Sequence, residues 1–367
     1  MQNSKNKLKK IAIIGIAGIP ANYGGFETLV DYITKDLNQN FNITVYCSTK
    51  SYPNKLITYN DCKLHYINLK ANGIQSILYD IRSIFHAIKY ADILLILGVS
   101  GCVILPLIKL FSKKKIIVNI DGLEWKRQKW NGFAKRFLKL SERFAVKVSD
   151  AVIGDNKFIQ DYIGQKYGKK AHLIAYGGDH CSNKTLSQKT LKKYPFLNAQ
   201  YAFKVCRIEP ENNIEMILEA FTQIDKIHLV LIGNWSNSYF GNKIRSLYGS
   251  FENIYLLNPI YDNNILDQIR SNCKIYIHGH SAGGTNPSLV EAMYMKLPVF
   301  CFDVVFNKIT TKGKAKYFKT SEELKHLLTS VNDRELKQVA NDLFEISKKE
   351  YKWSLISKKY QEILNNI

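Results

Sequence analysis

Four stretches of this chain combine glycine, carboxylate, guanidinium and aromatic residues in orders that suit a charged, hydroxyl-rich ligand. The first runs Gly15-x-x-Gly18-x-Pro20-x-Asn22-Tyr23-Gly24-Gly25-Phe26-Glu27, between an apolar run and an amphipathic one. Glycines at such a junction let the backbone turn sharply and bring its N–H groups to a phosphate at the following helix N-terminus. It is not the dinucleotide fingerprint G-x-G-x-x-G, and Val45-Tyr46-Cys47 stands where that motif needs an acid. A phosphate loop and a purely structural turn are both open here.

The second stretch is His278-Gly279-His280-Ser281-Ala282-Gly283-Gly284-Thr285-Asn286-Pro287-Ser288-Leu289-Val290-Glu291. Thr285 or Asn286 can cap a helix and Pro287 suits its first turn, while Gly283 and Gly284 leave room for a diphosphate against backbone amides. Glu291, one turn further in among apolar neighbours, suits a ribose diol; the alternative is an ordinary helix charge. In the third stretch, Cys206-Arg207-Ile208-Glu209-Pro210-Glu211-Asn212-Asn213, Arg207 follows a strand and suits the growing charge of a diphosphate leaving group. The alternative there is a surface pair with Glu209 or Glu211. The fourth, Asn119 to Trp130, sets Asp121 and Glu124 beside Trp125 and Trp130, acids for hydroxyls and aromatic faces for sugar C–H surfaces. No Asp-x-Asp occurs, and His278 and His280 lack a third ligand, so no metal is expected.

Such stretches need strand ends and helix starts to hold them. Lys9–Gly15, Asn42–Cys47, Lys63–Leu69, Ile93–Leu97 and Lys115–Ile120 read as strands, with helices over Phe26–Leu37, Gln75–Tyr90 and Gly132–Val148. Ile93–Leu97 is apolar throughout, as in a parallel strand covered on both faces. Short strands at Ala151–Gly154 and His172–Ala175 lead to Tyr176-Gly177-Gly178-Asp179, and the polar, Lys-rich Cys181–Gln200 reads as a linker. Strands then recur at Tyr201–Val205, His228–Ile232, Ile254–Leu257, Ile275–His278 and Val299–Phe302, among helices Ile214–Gln223, Asp262–Asn272 and Pro287–Met295. The expected class is α/β, two Rossmann-like domains facing across a cleft. Residues 1–180 form the first, 181–200 the linker and 201–348 the second. Residues 349–367 form a terminal helix returning to the first.

A length of 367 residues suits two domains. The net charge is +21, and residues 1–175 hold 27 Lys/Arg against 12 Asp/Glu, the remainder 25 against 19. The first half therefore calls for an anionic partner such as a membrane surface, unless the excess is a lysine bias of the source. On Gly132–Val148, Lys135, Arg136, Lys139, Arg143 and Lys147 accompany Phe133, Phe137, Leu140 and Phe144; a lipid-resting helix and a core-facing one are both open. Seven scattered cysteines without C-x-x-C fit a reducing cytosol. The apolar stretch Ile93–Ile108 is short of a bilayer span, and no transmembrane segment is expected.

Together these motifs resemble the retaining glycosyltransferases of family 4, which have the GT-B fold. Ile13–Glu27, Asp121–Arg127 and Gly279–Glu291 are similar to its rhamnosyltransferase subgroup, which builds bacterial capsule, O-antigen or rhamnan polysaccharides. The resemblance spans nearly the whole chain and implies catalytic roles for Asp121, Arg207 and Glu291. Implied donor contacts are Gly24, Gly25, Arg207, Asn212, Gly283, Gly284, Thr285, Asn286 and Glu291. Implied acceptor or sugar contacts are Glu27, Glu124, Trp125, Arg127 and His280. Asp121 stands where many relatives carry a histidine. Two departures stand out: Gly283 replaces the first Glu of the family's E-x7-E motif, and Asn212 replaces a lysine five residues after Arg207.

The implied activity is transfer of L-rhamnose from dTDP-L-rhamnose to a lipid-diphosphate-linked saccharide at the inner face of the cytoplasmic membrane, without cofactor or metal. A UDP-glucose, UDP-galactose or GDP-mannose donor, or a sugar-nucleotide epimerase, are alternatives. A nucleic-acid binder, indicated by charge alone, is not expected. Alanine at Arg207 or Glu291 is expected to cripple turnover with the fold intact.

Overall fold

Every residue of Ile93–Leu97 is buried in the computed structural model, which describes residues 8–22, 24–127 and 130–367. Tyr23 and Lys129 of the motifs lie outside the described residues. The chain forms two compact units, Met1–Ala175 with Trp353–Ile367, and Tyr176–Lys352.

The first unit runs β1 (Lys10–Ile14), α1 (Gly25–Leu37), β2 (Asn42–Ser48), β3 (Thr58–Tyr59), β4 (Cys62–Ile67), α2 (Gln75–Ala87), β5 (Ile93–Leu97), α3 (Leu105–Phe111), β6 (Lys115–Ile120), α4 (Gly132–Val148), β7 (Ala151–Gly154), α5 (Lys157–Tyr167) and β8 (His172–Leu173). Its sheet has the order β3-β4-β2-β1-β5-β6-β7-β8, parallel except where β3 meets β4. The chain moves one way from β1 to β2 and the other way from β5 onwards. The point between β1 and β5 is therefore the switch where parallel sheets receive ligands. Right-handed crossovers put α1 on one face and α2 to α5 on the other. Buried Ile14, Ile96, Val118, Leu138 and Ile159 belong to the core between that second helix layer and the sheet.

Gly15 leaves β1 at φ +99°, and a Cβ there would stand 2.0 Å from the Leu97 carbonyl oxygen. Two backbones touch at the switch point, so only glycine fits. Gly15→Ala is expected to cost at least about 1–3 kcal/mol, read as a lower urea midpoint with an unchanged slope.

The second unit runs α6 (Gln188–Lys193), β9 (Tyr201–Val205), α7 (Ile214–Phe221), β10 (His228–Ile232), α8 (Tyr239–Tyr248), β11 (Ile254–Leu257), α9 (Asn263–Ser271), β12 (Ile275–His278), α10 (Pro287–Tyr294), β13 (Val299–Phe302), α11 (Val305–Thr310), β14 (Lys316–Phe318), α12 (Ser321–Ser330) and α13 (Asp333–Glu350). Its all-parallel sheet has the order β11-β10-β9-β12-β13-β14, which puts the switch between β9 and β12.

The stretch 181–200, expected as a linker, belongs to this second unit. Thr190 Oγ1 donates to Gln268 Oε1 at 2.8 Å, the Ser187 amide donates to the same oxygen at 2.8 Å, and the Lys184 amide donates to Ser271 Oγ at 3.1 Å. Its polar composition serves attachment to α9 rather than freedom. The terminal helix starts later than expected, at Trp353. Lys349 and Glu350 end α13, and after Tyr351-Lys352 a new helix, α14 (Trp353–Asn366), begins. That helix packs on α1, with Trp353 stacked on Tyr32 at 4.8 Å and Asn119 donating to buried Tyr360 at 2.5 Å. Among the described residues no helix is long and apolar enough to cross a membrane.

Candidate functional site

All four motifs follow the C-terminal ends of strands, three of them at the two switch points and the fourth, after β6, beside β5. In the second unit the loops after β9 and β12 are tied together. Ser281 donates through N–H and Oγ to the Glu211 carbonyl (2.9 and 2.8 Å), and Asn213 Nδ2 donates to the Gly279 carbonyl at 2.8 Å. Gly279 has no room for a side chain, since a Cβ would meet the Asn212 carbonyl oxygen at 2.3 Å.

Asn212 and His280, expected as donor and sugar contacts, are buried instead. Asn212 Nδ2 donates to the Arg207 carbonyl at 2.8 Å, and Asn212 Oδ1 lies 3.2 Å from His280 Nδ1. A short amide pins the two loops where a lysine would reach outward. Arg207 stays available: its side chain is 41% exposed, and its Nη1 lies 3.8 Å from Glu209 Oε1. So open an ion pair contributes little.

The β12–α10 loop carries Gly283, Gly284, Thr285 and Asn286 to the start of α10, where Asn286 Oδ1 accepts from the Ser288 amide at 3.1 Å and from Ser288 Oγ at 2.8 Å. Pro287 has no N–H, and the Leu289 and Val290 amides donate to the Asn286 carbonyl at 3.1 and 3.3 Å, so the first turn of α10 is satisfied internally and offers the loop the positive end of its dipole. Glu291 follows one turn in. Its Oε2 is bonded to Arg270 Nη1, and its Oε1 lies 3.3 Å from His180 Nε2. Arg270 is itself buried and bonds Asp267 Oδ1 at 3.0 Å. Burial alone would raise the Glu291 pKa; the Arg270 guanidinium and His180 overcome it and hold the carboxyl at about 2. Glu291 is thus a fixed, ionised acceptor rather than an ordinary helix charge.

His180, Cys181 and Glu291 bring their ligand atoms within 4.8 Å of one another. A cation there would share the carboxylate with the Arg270 guanidinium, and burial pushes the Cys181 thiol up towards its neutral form. The groups present describe an ion-pair chain, Asp267–Arg270–Glu291, with His180 Nε2 against its end, better than a metal centre. Sequence reasoning missed Arg270 and His180. Only the Asp267-x-x-Arg270 spacing gave a local signal, and their partner Glu291 is remote in sequence.

In the first unit, the loop between β1 and α1 is braced from several sides. Tyr52 OH donates to the carbonyls of Gly18 (2.8 Å) and Pro20 (2.9 Å), and Tyr79 OH to that of Ile16 at 3.0 Å. Glu27, expected to contact sugar, turns back on this loop: its Oε1 accepts from the Ala17 amide at 2.8 Å. Gly24 makes that turn possible, since a Cβ there would stand 1.9 Å from Glu27 Oε2. Gly24 caps α1, whose first residue is Gly25, so both expected phosphate contacts sit at a helix start.

Asp121 follows β6 directly and is partly exposed. Beyond it, Glu124 accepts from Arg127 Nε at 2.8 Å and from the Trp130 indole at 3.0 Å. Trp125 donates its indole N–H to buried Glu142 at 2.9 Å, which also accepts from the hydroxyls of Tyr162 and Tyr167, each at 2.6 Å. The expected acceptor-side residues Glu124, Trp125 and Arg127 thus form one cross-braced turn.

Two doubly wound parallel sheets, each with its glycine-rich loop at the switch point, define the GT-B class of fold. Residues 187–349 match the family described as Glycosyl transferases group 1, and residues 8–179 match a domain of unknown function, DUF1972. Residues 187–349 thus carry a Glycosyl transferases group 1 domain, in a chain with the GT-B fold. Among solved structures it is similar to sucrose-phosphate synthase from Thermosynechococcus elongatus (TM-score 0.80, 14% identity, 98% of each chain covered). It is also similar to Anabaena HepE in complex with UDP-glucose (TM-score 0.77, 12% identity, 98% of this chain and 100% of that one). A putative UDP-N-acetylglucosamine 2-epimerase from Listeria monocytogenes shares the fold at TM-score 0.64 and 16% identity, with 94% of each chain covered. At these identities the likeness is one of fold. No curated protein matches the chain by sequence.

Proposed function

We propose that this chain transfers L-rhamnose from dTDP-L-rhamnose, with retention of configuration, to a hydroxyl of a lipid-diphosphate-linked saccharide at the inner face of the cytoplasmic membrane, in bacterial surface polysaccharide synthesis. The observation that carries this reading furthest is Glu291, ionised and held by Arg270 one turn beyond the Gly283–Asn286 loop. A carboxylate so held is an acceptor for a ribose diol, and the loop amides with Arg207 suit the attached diphosphate.

In this reaction Arg207 stabilises the charge that grows on the departing diphosphate. The acceptor oxygen attacks on the face the diphosphate leaves, and a departing phosphate oxygen takes its proton. The protein then supplies position and charge rather than a nucleophile, and no metal ion is required. Asp121 is assigned to the neighbourhood of the transferred sugar, and Glu124, Trp125 and Arg127 to the acceptor side.

A UDP-hexose donor is the second reading, favoured by the UDP-glucose complex of the Anabaena relative. Thermal stabilisation by dTDP, UDP, GDP and ADP, each with and without Mg²⁺, separates the two. A ligand at a hundredfold excess over its Kd adds about 2.7 kcal/mol. The expected result is a shift with dTDP that is selective and independent of Mg²⁺. A shift with UDP alone moves the donor to the second reading.

A further inference from the structure

The helices that cover one face of the first sheet expose apolar and basic side chains together, in helical register. On α4, Phe133, Arg136, Leu140, Arg143 and Lys147 recur at spacings of three and four, and all are exposed; Phe133 is 82% and Leu140 43% accessible. The opposite stripe, with Leu138, Ala145 and Val146, is the buried one. The core-facing reading of this helix is thus met on one side, and its other side carries exposed apolar and basic residues. On α3, which packs against α4, Leu110 and Phe111 stand 75% and 79% exposed just before Lys113 and Lys114. On α2, in the same helix layer, Leu78 and Phe85 are exposed on either side of exposed Arg82.

Among the described residues of α2, α3 and α4 no acid is exposed, and Asp80 of α2 is buried. The one acid of α4, Glu142, is buried under the Trp125 turn, and α3 has none. Asp150, beyond α4, is engaged by Lys109 at 2.5 Å and Lys115 at 3.7 Å. A second copy of the chain would therefore bring like charges together. The apolar side chains are separate knobs spaced over several helices and interleaved with cations, rather than a groove for a rigid partner. A fluid anionic surface accepts both: acyl boundary for the knobs, phosphate headgroups for the lysines and arginines.

We infer that the α2–α3–α4 face of the first unit docks on an anionic lipid bilayer, with Leu110 and Phe111 of α3 inserted and the exposed stripe of α4 lying along the headgroups. The inference rests on the lipid-linked acceptor of the preceding reading and names the surface that brings the enzyme to it.

Sedimentation of the full chain with vesicles of phosphatidylcholine alone, or with 30% phosphatidylglycerol, tests it. Wild type is expected to sediment with the anionic vesicles only. Leu110→Ser/Phe111→Ser is expected to weaken binding at least tenfold, and Arg136→Ser/Arg143→Ser roughly 30-fold, at about fivefold per surface charge. All four positions are exposed, so both variants should keep the wild-type melting midpoint and the same shift with dTDP. Failure of the dTDP shift therefore reports on the donor reading separately. Absence of vesicle binding, equal binding to neutral vesicles, or wild-type binding by both variants overturns the assignment. So does a concentration-dependent dimer without vesicles that both variants abolish, which would give the face to a second copy.

Discussion

Arg207→Ala is expected to lower kcat by about 100- to 1,000-fold while leaving the thermal midpoint within about 2 °C of wild type. The two halves of this expectation come from the same geometry. Arg207 leaves β9 at the switch point of the second sheet, where it stays half-exposed with only a long pairing to Glu209. Nothing in the core depends on its guanidinium, so its removal costs little stability. Its main-chain carbonyl, which Asn212 holds, survives the substitution. What disappears is the cation that the proposed reaction sets against the diphosphate leaving group. Arg207→Lys should recover part of the loss, since it restores a point charge without the two-pronged donor geometry. Steady-state kinetics with a saturating donor decide the matter. Wild-type turnover in the alanine variant would remove Arg207 from the reaction.

The second large effect concerns stability. Arg270→Met is expected to cost about 3–5 kcal/mol, because it leaves Asp267 and Glu291 as carboxylates in low-exposure sites without their shared cation. For the same reason Glu291→Ala, which the sequence led one to expect would leave the fold intact, is expected to lower stability, and Glu291→Gln is the cleaner probe. The acid limb of stability follows from the same chain of charges. The Glu291 pKa is held below its ordinary value of 4.5, at about 2. The folded chain keeps this carboxylate ionised where the unfolded chain binds a proton. The stabilisation is complete above pH 4.5 and fades as pH falls towards 2. Urea midpoints of wild type should therefore drop over that window more steeply than those of Glu291→Gln. Parallel curves would show that Glu291 is not held low.

What the sequence made legible were features carried by short-range pattern. The apolar runs of β1, β5, β9 and β12 marked buried parallel strands, and Asn286-Pro287 marked the start of α10 to the residue. Features that depend on remote partners were not legible. Arg270 and His180 gain their roles only from Glu291, which the fold brings to them. Glu27, Asn212 and His280 have the residue types of ligand contacts, yet the backbone places their polar atoms against neighbouring loops. Helix α13 was not read although Leu336, Val339, Ala340 and Leu343 recur at helical spacing on an otherwise charged stretch. The Lys-rich stretch after Asp179 looked like a connector because its anchors are single hydroxyls and amides, which no hydrophobic period reveals.

Helix α14 has a consequence for how the chain is made. It is synthesised about 180 residues after β8, yet it buries Trp353, Ile356, Tyr360 and Leu364 within the first unit and brings the Leu364 carbonyl within 3.0 Å of Lys9 Nζ. At ribosomal rates that gap lasts roughly 10–40 s. During it the nascent first sheet has all its strands but an uncovered α1, and Tyr32 and Asn119 wait for their partners while the whole second unit is translated. The first sheet begun is the last one finished.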